Sequence, residues 1–398
     1  MKLNTKRTLV SLSLALCVNA SFAGNTLVNG VAPRAQSMQA FVAVADDPSA
    51  IFYNPAGITQ VKGSQVDAGL SYIIPYQSYS NSSIPGDPSS TSTEQVIAPN
   101  LFFTSDQLVK SVTLGFGLYA PFARRSNYTV NAATYDQRDF SDVTRLDFAP
   151  TLAFDVNKYM SVGLGPVISR VMKRSSVLGL YQKGNGSGYT GQAGVLFKLP
   201  HAVKLGFSYM GREHARVTGN GEMGTSQGGF LLFINFPAVW RAGISWEINN
   251  QWLVSAGYEY EEWSYFKGIK SIYTDPAMTA AGTVDIDGKN SSDVRLGLSF
   301  KPSDKDEILA GYTYAQAAIP ADNIVPAQPD YNAHYFSVGY SRYMNAWRFD
   351  VGYELGYMPR RNSNSPVFPG DYHMYVSSIL LGISYNFDDK VRTSEHLA

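Results

Sequence analysis

One stretch near the amino terminus holds the side chains best suited to polar chemistry. Asp46 and Asp47 are adjacent acids, and Asn54, Pro55 and Ala56 follow them. The two carboxylates can cap a short helix or pair with bases. Proline removes a backbone donor and restricts the residue before it. This combination predicts a folded segment held by polar contacts that can rearrange.

No other stretch predicts catalysis or a bound metal. Residues 219–224 match the glycine pattern of dinucleotide-binding loops, but no strand-then-helix context surrounds them, so they predict a flexible loop. The five histidines lack the spacing of a zinc site; they are His201, His214, His334, His373 and His396. We therefore expect neither an enzyme nor a cofactor or metal.

The first residues predict a secretion signal. A basic start precedes a short apolar run and the small-residue site Ser21-Phe22-Ala23, so we expect cleavage of residues 1–23. Cys17, the only cysteine, leaves with the signal, so the mature chain has no disulfide. The signal also carries basic residues and no acids. The mature chain is then slightly acidic, which argues against a nucleic-acid partner.

The rest of the chain is aromatic, glycine-rich and alternating in hydropathy. Tyr, Phe and Gly number 26, 21 and 35, while charged residues make up 16%. No apolar run after the signal is long enough for a spanning helix. Every second residue of 145–156 and of 347–357 is apolar, as in a strand with one apolar face. We count about fourteen such segments, at roughly 64–79, 94–105, 109–124, 143–157, 160–177, 187–199, 203–217, 237–249, 252–268, 291–301, 306–317, 332–343, 346–359 and 374–387.

The lengths of the connections favour a membrane barrel over a soluble sandwich, which alternation alone does not exclude. Short turns such as 157–159 alternate with long loops such as 125–142 and 218–236. Outer-membrane barrels have short periplasmic turns and longer outer loops. The sequence therefore predicts an all-β membrane protein. Its parts are an antiparallel transmembrane β-barrel of about 14 strands over 64–387 and a periplasmic tail at 388–398.

Prolines interrupt several of these strands. Pro75, Pro99, Pro121, Pro150 and Pro166 each lack a ladder donor, so each marks a strand end, a bulge or a gap in the wall. Lipid offers no partner for the freed backbone groups, so protein or water must satisfy them. A strand end and a gap stay equally open at Pro75 and Pro121.

One predicted outer loop is strongly apolar. Exposed apolar clusters commonly mark binding sites, but this run can equally extend the next strand down to the membrane rim. The residues that would form the binding surface are Phe230, Leu231, Leu232, Phe233 and Phe236.

The run Phe41–Gly57 resembles the start of the FadL/TodX family of outer-membrane transport proteins, including the Asn-Pro-Ala of their N-terminal hatch. The stretch 119–122 near the end of the third strand, the Asn157-Lys158 turn and the aromatic end of the last strand extend the resemblance over the chain. It implies that residues 24–63 form a hatch that plugs the periplasmic end. The implied hatch residues are Asp46, Asp47, Asn54, Pro55 and Ala56.

The resemblance also implies uptake of hydrophobic small molecules, either long-chain fatty acids or aromatic hydrocarbons. Cargo would bind at an outer groove, pass the hatch and leave through a gap in the wall near Pro121. We expect a monomer surrounded by the lipid of a Gram-negative outer membrane. A general diffusion porin and a structural or secretion barrel that binds a protein are the alternatives.

Four arginines are predicted to face the lumen, where they could contact the cargo. Each can pair with a cargo carboxylate or with an acid on a neighbouring strand, and the second is our default. The arginines are Arg145, Arg241, Arg295 and Arg348, and the acids are Asp147, Glu247, Asp350 and Glu354.

Overall fold

The computed structural model describes residues 29–81, 89–107, 111–132, 135–177, 179–324, 329–365 and 369–388. The predicted signal peptide and all of the predicted tail except Asp388 lie outside these ranges. None of the helices within them is long and apolar enough to cross a membrane.

Most of the described chain is β-strand. The strands are β1 (Gln65–Ser80), β2 (Ser89–Ser92), β3 (Val96–Thr104), β4 (Val112–Ala132), β5 (Tyr135–Asn157), β6 (Met160–Val177), β7 (Leu180–Leu199), β8 (Val203–Met210), β9 (Glu213–Met223), β10 (Ser226–Phe236), β11 (Val239–Glu247), β12 (Trp252–Glu261), β13 (Gly268–Lys270), β14 (Ile272–Tyr273), β15 (Thr283–Asp285), β16 (Ser291–Ser303), β17 (Asp306–Ala315), β18 (Ala333–Met344), β19 (Trp347–Ser363) and β20 (Gly370–Asn386). The helices are α1 (Pro33–Met38), α2 (Ala50–Tyr53) and α3 (Pro276–Ala281), with 3₁₀ turns at Pro55–Gln60, Pro200–Ala202, Trp263–Tyr265 and Ala321–Asn323.

Fourteen strands close into an antiparallel barrel, as predicted. Going round the wall, each pairs with the next in the order β1, β3, β4, β5, β6, β7, β8, β11, β12, β16, β17, β18, β19, β20. The last strand, β20, pairs back onto the whole length of β1. Large apolar side chains point outward along these strands, and small, polar and charged ones point inward.

Two of the predicted outer loops are strand instead. The hairpin of β4 and β5 continues to Ala132 and Tyr135, which replaces most of the predicted loop 125–142. The hairpin of β9 and β10 replaces the predicted loop 218–236 and continues the register of β8 and β11. Beyond the membrane a pair of strands needs no apolar face. Glycine-rich polar sequence can therefore form a ladder there, although it lacks the alternation of apolar and polar residues that marks a strand in the sequence.

Two of the strand prolines lie opposite each other. Pro150 on β5 faces Pro166 on β6, and the ladder between these strands is interrupted there and resumes at Leu152 and Leu164. Neither proline can donate a hydrogen bond. Each is held instead by pairing with the strand on its other side, β4 or β7.

The N-terminal segment, residues 29–63, lies inside the barrel at the end with the short turns. It contains α1, α2 and the 3₁₀ turn Pro55–Gln60, and almost all of its residues are buried. Proline occupies a first-turn position of both α1 and the 3₁₀ turn, where its missing N–H costs nothing. The segment is therefore folded and enclosed by the wall.

Inward glycines line the wall around this segment. A Cβ added at Gly69 would lie 2.6 Å from Pro33 Cδ, and one at Gly311 would lie 2.5 Å from Gln39 Cγ. Glycine in a strand often marks the close approach of another backbone, and here the wall leaves side-chain-sized space for the segment. We call this set the glycine ring: Gly69, Gly115, Gly163, Gly194, Gly206, Gly243, Gly297, Gly311, Gly339, Gly352 and Gly382.

Candidate functional site

Asn54 joins the two helical turns of the N-terminal segment to the wall. Its backbone N–H ends α2 by donating to the carbonyl of Ala50, the first residue of that helix (2.8 Å). Its side-chain oxygen accepts from the Ala56 N–H (3.2 Å), at the start of the 3₁₀ turn. Its amide nitrogen donates to the carbonyls of Val42 and Val195, both at 3.1 Å. One side chain thus caps a turn and ties the segment to β7.

Asp46 and Asp47 also hold the segment, through different partners. Asp46 Oδ1 lies 2.6 Å from Arg34 Nη1. Asp47 Oδ1 accepts from the Ser49 N–H (3.0 Å) just before α2. Asp47 Oδ2 lies 3.2 Å from Arg34 and 3.4 Å from Arg348 on β19. Asp47 therefore holds the turn before α2 and does not cap the helix, whose N-cap Ser49 has no side-chain cap. Both acids pair with arginine.

The positive charge of Arg34 is paired with acids on two sides. Its Nε lies 2.8 Å from Glu307 Oε2 on β17, opposite the contact with Asp46. Burial would raise the pKa of the Asp46 carboxyl, but the Arg34 guanidinium outweighs it and holds that pKa below its ordinary value. Both groups stay charged at neutral pH, so the segment is clamped to the wall by ion pairs as well as by packing.

All four predicted lumen arginines pair with acids. The pairs are Arg145 with Asp147 (2.7 Å), Arg241 with Glu259, Arg295 with Asp293 (3.0 Å), and Arg348 with Asp67 (2.6 Å) and Asp350 (3.0 Å). Glu354 instead accepts hydrogen bonds from Asn29, Gln36 and Gln39 of the N-terminal segment. Glu247 lies at the short-turn end beside Lys204 (3.0 Å). Each arginine already has a carboxylate partner, which supports the default interpretation.

Three acids on β12 and β16 come close enough to resemble a cation site. Carboxylate oxygens of Glu259, Glu261 and Asp293 lie within 4.8 Å of one another. Arg241 and Arg295 share Glu259, and Arg295 also bonds Asp293. The positive charge in this cluster is thus supplied by arginine, and we assign it to the ion-pair network.

An outer apolar cluster lies between the N-terminal segment and the outer loops. Its aromatic members come from the wall, from β10 and from the loops after β12 and before β18. They pack in pairs such as Phe122 with Phe236, whose ring centroids are 5.0 Å apart. We define the cluster by Phe122, Tyr128, Phe230, Leu232, Ile234, Phe236, Trp263, Phe266, Tyr331 and Tyr372.

The predicted groove residues all lie on β10 but do not form one surface. Phe230, Leu232 and Phe236 point into the outer apolar cluster and are buried, with Phe230 only 4% exposed. Leu231 and Phe233 point to the opposite face, where Phe233 is 46% exposed. Side chains alternate across a strand, so the predicted patch is split in two.

A buried cation borders this cluster. Lys173 on β6 faces inward, and its ammonium group donates to Ser175 and to the Gln182 side-chain oxygen (2.7 Å). The Gln182 amide donates to the Tyr273 hydroxyl (2.9 Å), and the Tyr273 ring lies 5.7 Å from that of Phe230. Sequence reasoning missed this lysine, because inward and outward positions differ only by strand phase.

The wall is incomplete where β3 separates from β4. β3 pairs with β1 as far as Val96 but with β4 only as far as Asn100, opposite Tyr119. Pro121 lies just beyond, within a register shift between β4 and β5. Pro99 and Pro121 face this gap and cannot donate across it. We call the gap, between 96–99 and 120–123, the wall notch.

Polar atoms and an apolar pocket meet at the wall notch. The side-chain amide of Asn100 and the Tyr119 hydroxyl are buried and have no hydrogen-bond partner within the described part of the chain. Outside, a pocket of about 540 Å³ opens beside them. Its lining includes one leucine from each of β1, β3, β4, β5 and β20: Leu70, Leu101, Leu118, Leu146 and Leu381.

The N-terminal segment contacts the notch directly. The ring of Phe52 on α2 packs against Tyr119 with centroids 5.2 Å apart, and Tyr119 stacks on Phe102 at 5.4 Å. The Arg241 guanidinium lies over the Phe52 ring, 4.7 Å from its centroid. Phe52 and Tyr119 therefore connect α2 to the edge of the notch.

Comparison with known proteins gives a consistent result. Residues 15–182 and 172–367 match the family described as "Outer membrane protein transport protein (OMPP1/FadL/TodX)". The chain is 22% identical over 404 aligned residues to the long-chain fatty acid transport protein of Salmonella typhi, covering 87% of this chain and 89% of that one. It is 21% identical over 409 residues to the long-chain fatty acid transport protein of Escherichia coli K12, with the same coverage.

Solved structures share the fold. A Pseudomonas aeruginosa FadL homologue superposes with a TM-score of 0.76 at 16% identity, covering 92% of this chain and all of the other. The Pseudomonas putida toluene transporter TodX superposes with a TM-score of 0.69 at 15% identity, covering 90% of this chain and 99% of the other.

Proposed function

Because the chain belongs to the OMPP1/FadL/TodX family of outer membrane transport proteins, we propose that it takes up hydrophobic small molecules, chiefly long-chain fatty acids. Family membership agrees with the prediction of a transporter rather than an enzyme. The observation that carries the proposal is the wall notch, where an apolar pocket meets the lumen between the outer apolar cluster and the N-terminal segment. We also propose that export removes residues 1–23 and that the mature protein is a monomer.

Apolar surface alone can capture such a cargo. Each methylene removed from water contributes about 0.8 kcal/mol, so a chain of about 16 methylenes gains on the order of 13 kcal/mol before the cost of association. The outer apolar cluster offers aromatic and aliphatic side chains for this exchange. A polar solute would gain nothing there.

In this proposal the N-terminal segment is the hatch. It fills the lumen against the glycine ring and is held by hydrogen bonds and ion pairs that can exchange partners. The contact of Phe52 with Tyr119 couples it to the wall notch. Cargo that passes Tyr119 then meets the apolar pocket and leaves sideways into lipid, without crossing the ion-pair network.

The two faces of β10 provide a matched test of the capture step. We expect Phe230→Asp to lower fatty-acid uptake about tenfold or more, because it places a charge in the apolar cluster. Phe233→Asp makes the same chemical change on the outer face and should leave uptake near wild type. The measurement is uptake of labelled oleate by cells that lack their own transporter. The two variants are compared at equal amounts of folded protein in the outer membrane. Equal loss in both variants would contradict this assignment.

Lys173 favours a cargo that carries a carboxylate. A buried ammonium beside an apolar cluster can pair with an acid head group while the tail packs on the rings. We expect Lys173→Met to weaken oleate binding about tenfold and to leave toluene binding unchanged, measured on the purified protein by competition with a fluorescent fatty acid. Equal effects on both ligands would show that Lys173 serves the fold only.

The small molecule that co-purifies with the protein tests the proposed function itself. We expect mass spectrometry of gently extracted protein to find long-chain fatty acid at a ratio near one per barrel. A general diffusion porin would hold none and would conduct ions in planar bilayers. A secretion-partner barrel would retain a protein instead. Either of those results would replace the proposal.

A further inference from the structure

Exposed cations gather on one side of the barrel, on the outward faces of β6, β7 and β9. All point away from the lumen, on the same face as the lipid-facing Ile168. Of the neighbouring outward positions, Met172, Asn185, Ser187 and Thr218 are uncharged, while Glu222 on β9, opposite Tyr181, is acidic. We call the four cations the outer cation patch: Arg170, Arg174, Lys183 and Arg216.

Strand pairing forces these charges together. Arg174 lies directly opposite Lys183 in the β6–β7 ladder. Arg170 and Arg216 both lie opposite Ser187, one on each side of it. Like charges directly opposite in a sheet are destabilising, so the isolated wall bears a repulsion that an anion placed over it would relieve.

The protein itself supplies little compensation. The acid closest to Arg174 is Asp142, at 3.9 Å, and Arg170 donates to the neutral Asn185 side chain. Within the described ranges no carboxylate comes within 4.0 Å of Lys183 or Arg216. Arg212, nearby on the same side, differs because it is paired with Glu262.

The patch lies at the outer edge of the membrane. β6 begins at Met160 beside a short turn, and the ten residues to Arg170 rise about 33 Å along the strand, or roughly 25 Å of height at the usual tilt. That is the height of the apolar band of such barrels. Arg174 and Lys183 lie about 10 Å higher, above the outward apolar side chains of Leu164 and Ile168.

We propose that the outer cation patch binds the phosphate groups of a phosphorylated glycolipid of the outer leaflet. Arginine matches phosphate geometry with paired donors, and lysine adds a point charge. The acyl chains of the same lipid would pack on the apolar wall below the patch, so one ligand satisfies both surfaces. A free phosphate ion would bind only the outer cation patch and would not cover the apolar wall below it. The lipid would fix the height and rotation of this side of the barrel, where Arg170 lies directly opposite Leu146 of the pocket lining.

The test compares lipid A carrying two phosphates with the same lipid lacking them, each added to the purified full chain in detergent and counted by native mass spectrometry. The wild type is expected to retain the phosphorylated form. The triple variant Arg174→Gln/Lys183→Gln/Arg216→Gln should bind it about a hundredfold more weakly. Heat-modifiable migration in gels checks that the variant barrel is folded.

Lys198→Gln/Lys204→Gln is the matched control, because these cations lie at the opposite end of the same side and are paired with Asp155 and Glu247. It should bind lipid A as the wild type does. Three outcomes would overturn the proposal: equal binding by the triple variant, equal binding of dephosphorylated lipid by the wild type, or full displacement by millimolar inorganic phosphate.

Discussion

The Gly194→Val variant is expected to let ions through a barrel that is otherwise closed. A Cβ at this position would overlap the Asn54 side-chain oxygen and lie 2.8 Å from Pro55 Cδ, and valine adds two further methyl groups. Overpacking and the lost Asn54 hydrogen bonds together cost about 3–4 kcal/mol, which raises the displaced fraction of the segment about a hundredfold or more. Single-channel recording in planar bilayers measures this as new conductance.

Gly191→Val is the control on the same strand. A Cβ there meets only the Gly165 carbonyl oxygen, at 3.8 Å, and no atom of the N-terminal segment. We expect it to stay as closed as the wild type. If Gly194→Val folds into the membrane and also stays closed, the N-terminal segment is not what blocks the lumen.

The second large effect is expected from filling the pocket at the wall notch. In Leu118→Trp the indole would occupy part of the 540 Å³ space where β3 and β4 separate. Cargo would then have no apolar path from Tyr119 to the lipid. We expect the maximal rate of oleate uptake to fall about tenfold, in line with a barrier raised by about 1.4 kcal/mol, while oleate binding to the purified protein stays at its wild-type strength.

Leu296→Trp makes the same substitution on the far wall, where Leu296 is exposed to lipid. It should leave both uptake and binding unchanged. A loss of uptake in both variants would indicate a general effect of an added tryptophan. Unchanged uptake in Leu118→Trp would place the exit elsewhere, and periplasmic release past the N-terminal segment would then be favoured.

The barrel could be predicted because its physical causes repeat along the chain. Each spanning strand alternates, as 145–156 does, and each periplasmic link is short, so the strand count followed from local patterns. The pattern stops where the membrane stops. For this reason 218–236 predicted a loop, although β9 and β10 continue the ladder beyond the lipid.

The glycine ring shows a second limit of prediction from sequence. Gly163 and Gly194 are distant in sequence from Asn54 and Pro55, and only closure of the barrel brings them into contact. Each glycine alone is an ordinary small inward residue. The Asn-Pro-Ala run indicated a folded segment, but the partners that hold it, such as Arg34 with Glu307, depend on long-range packing.

Strand phase, meaning which side chains point inward, determines which candidate binding residues face the outer apolar cluster. The apolar run on β10 was visible in the sequence, yet a loop and a strand distribute it differently, and the strand sends Phe233 away from the cluster. Pro99 and Pro121 each indicated a possible break in the wall, since proline lacks a backbone N–H donor. That both prolines face the same gap followed only from the register of β3 and β4.

Uptake of labelled oleate at limiting concentration by cells lacking their own transporter tests the central claim most directly, with a small labelled sugar measured in parallel. The proposed function predicts that the protein restores oleate uptake and adds no sugar entry. Sugar entry without oleate uptake would show a water-filled pore and would contradict it.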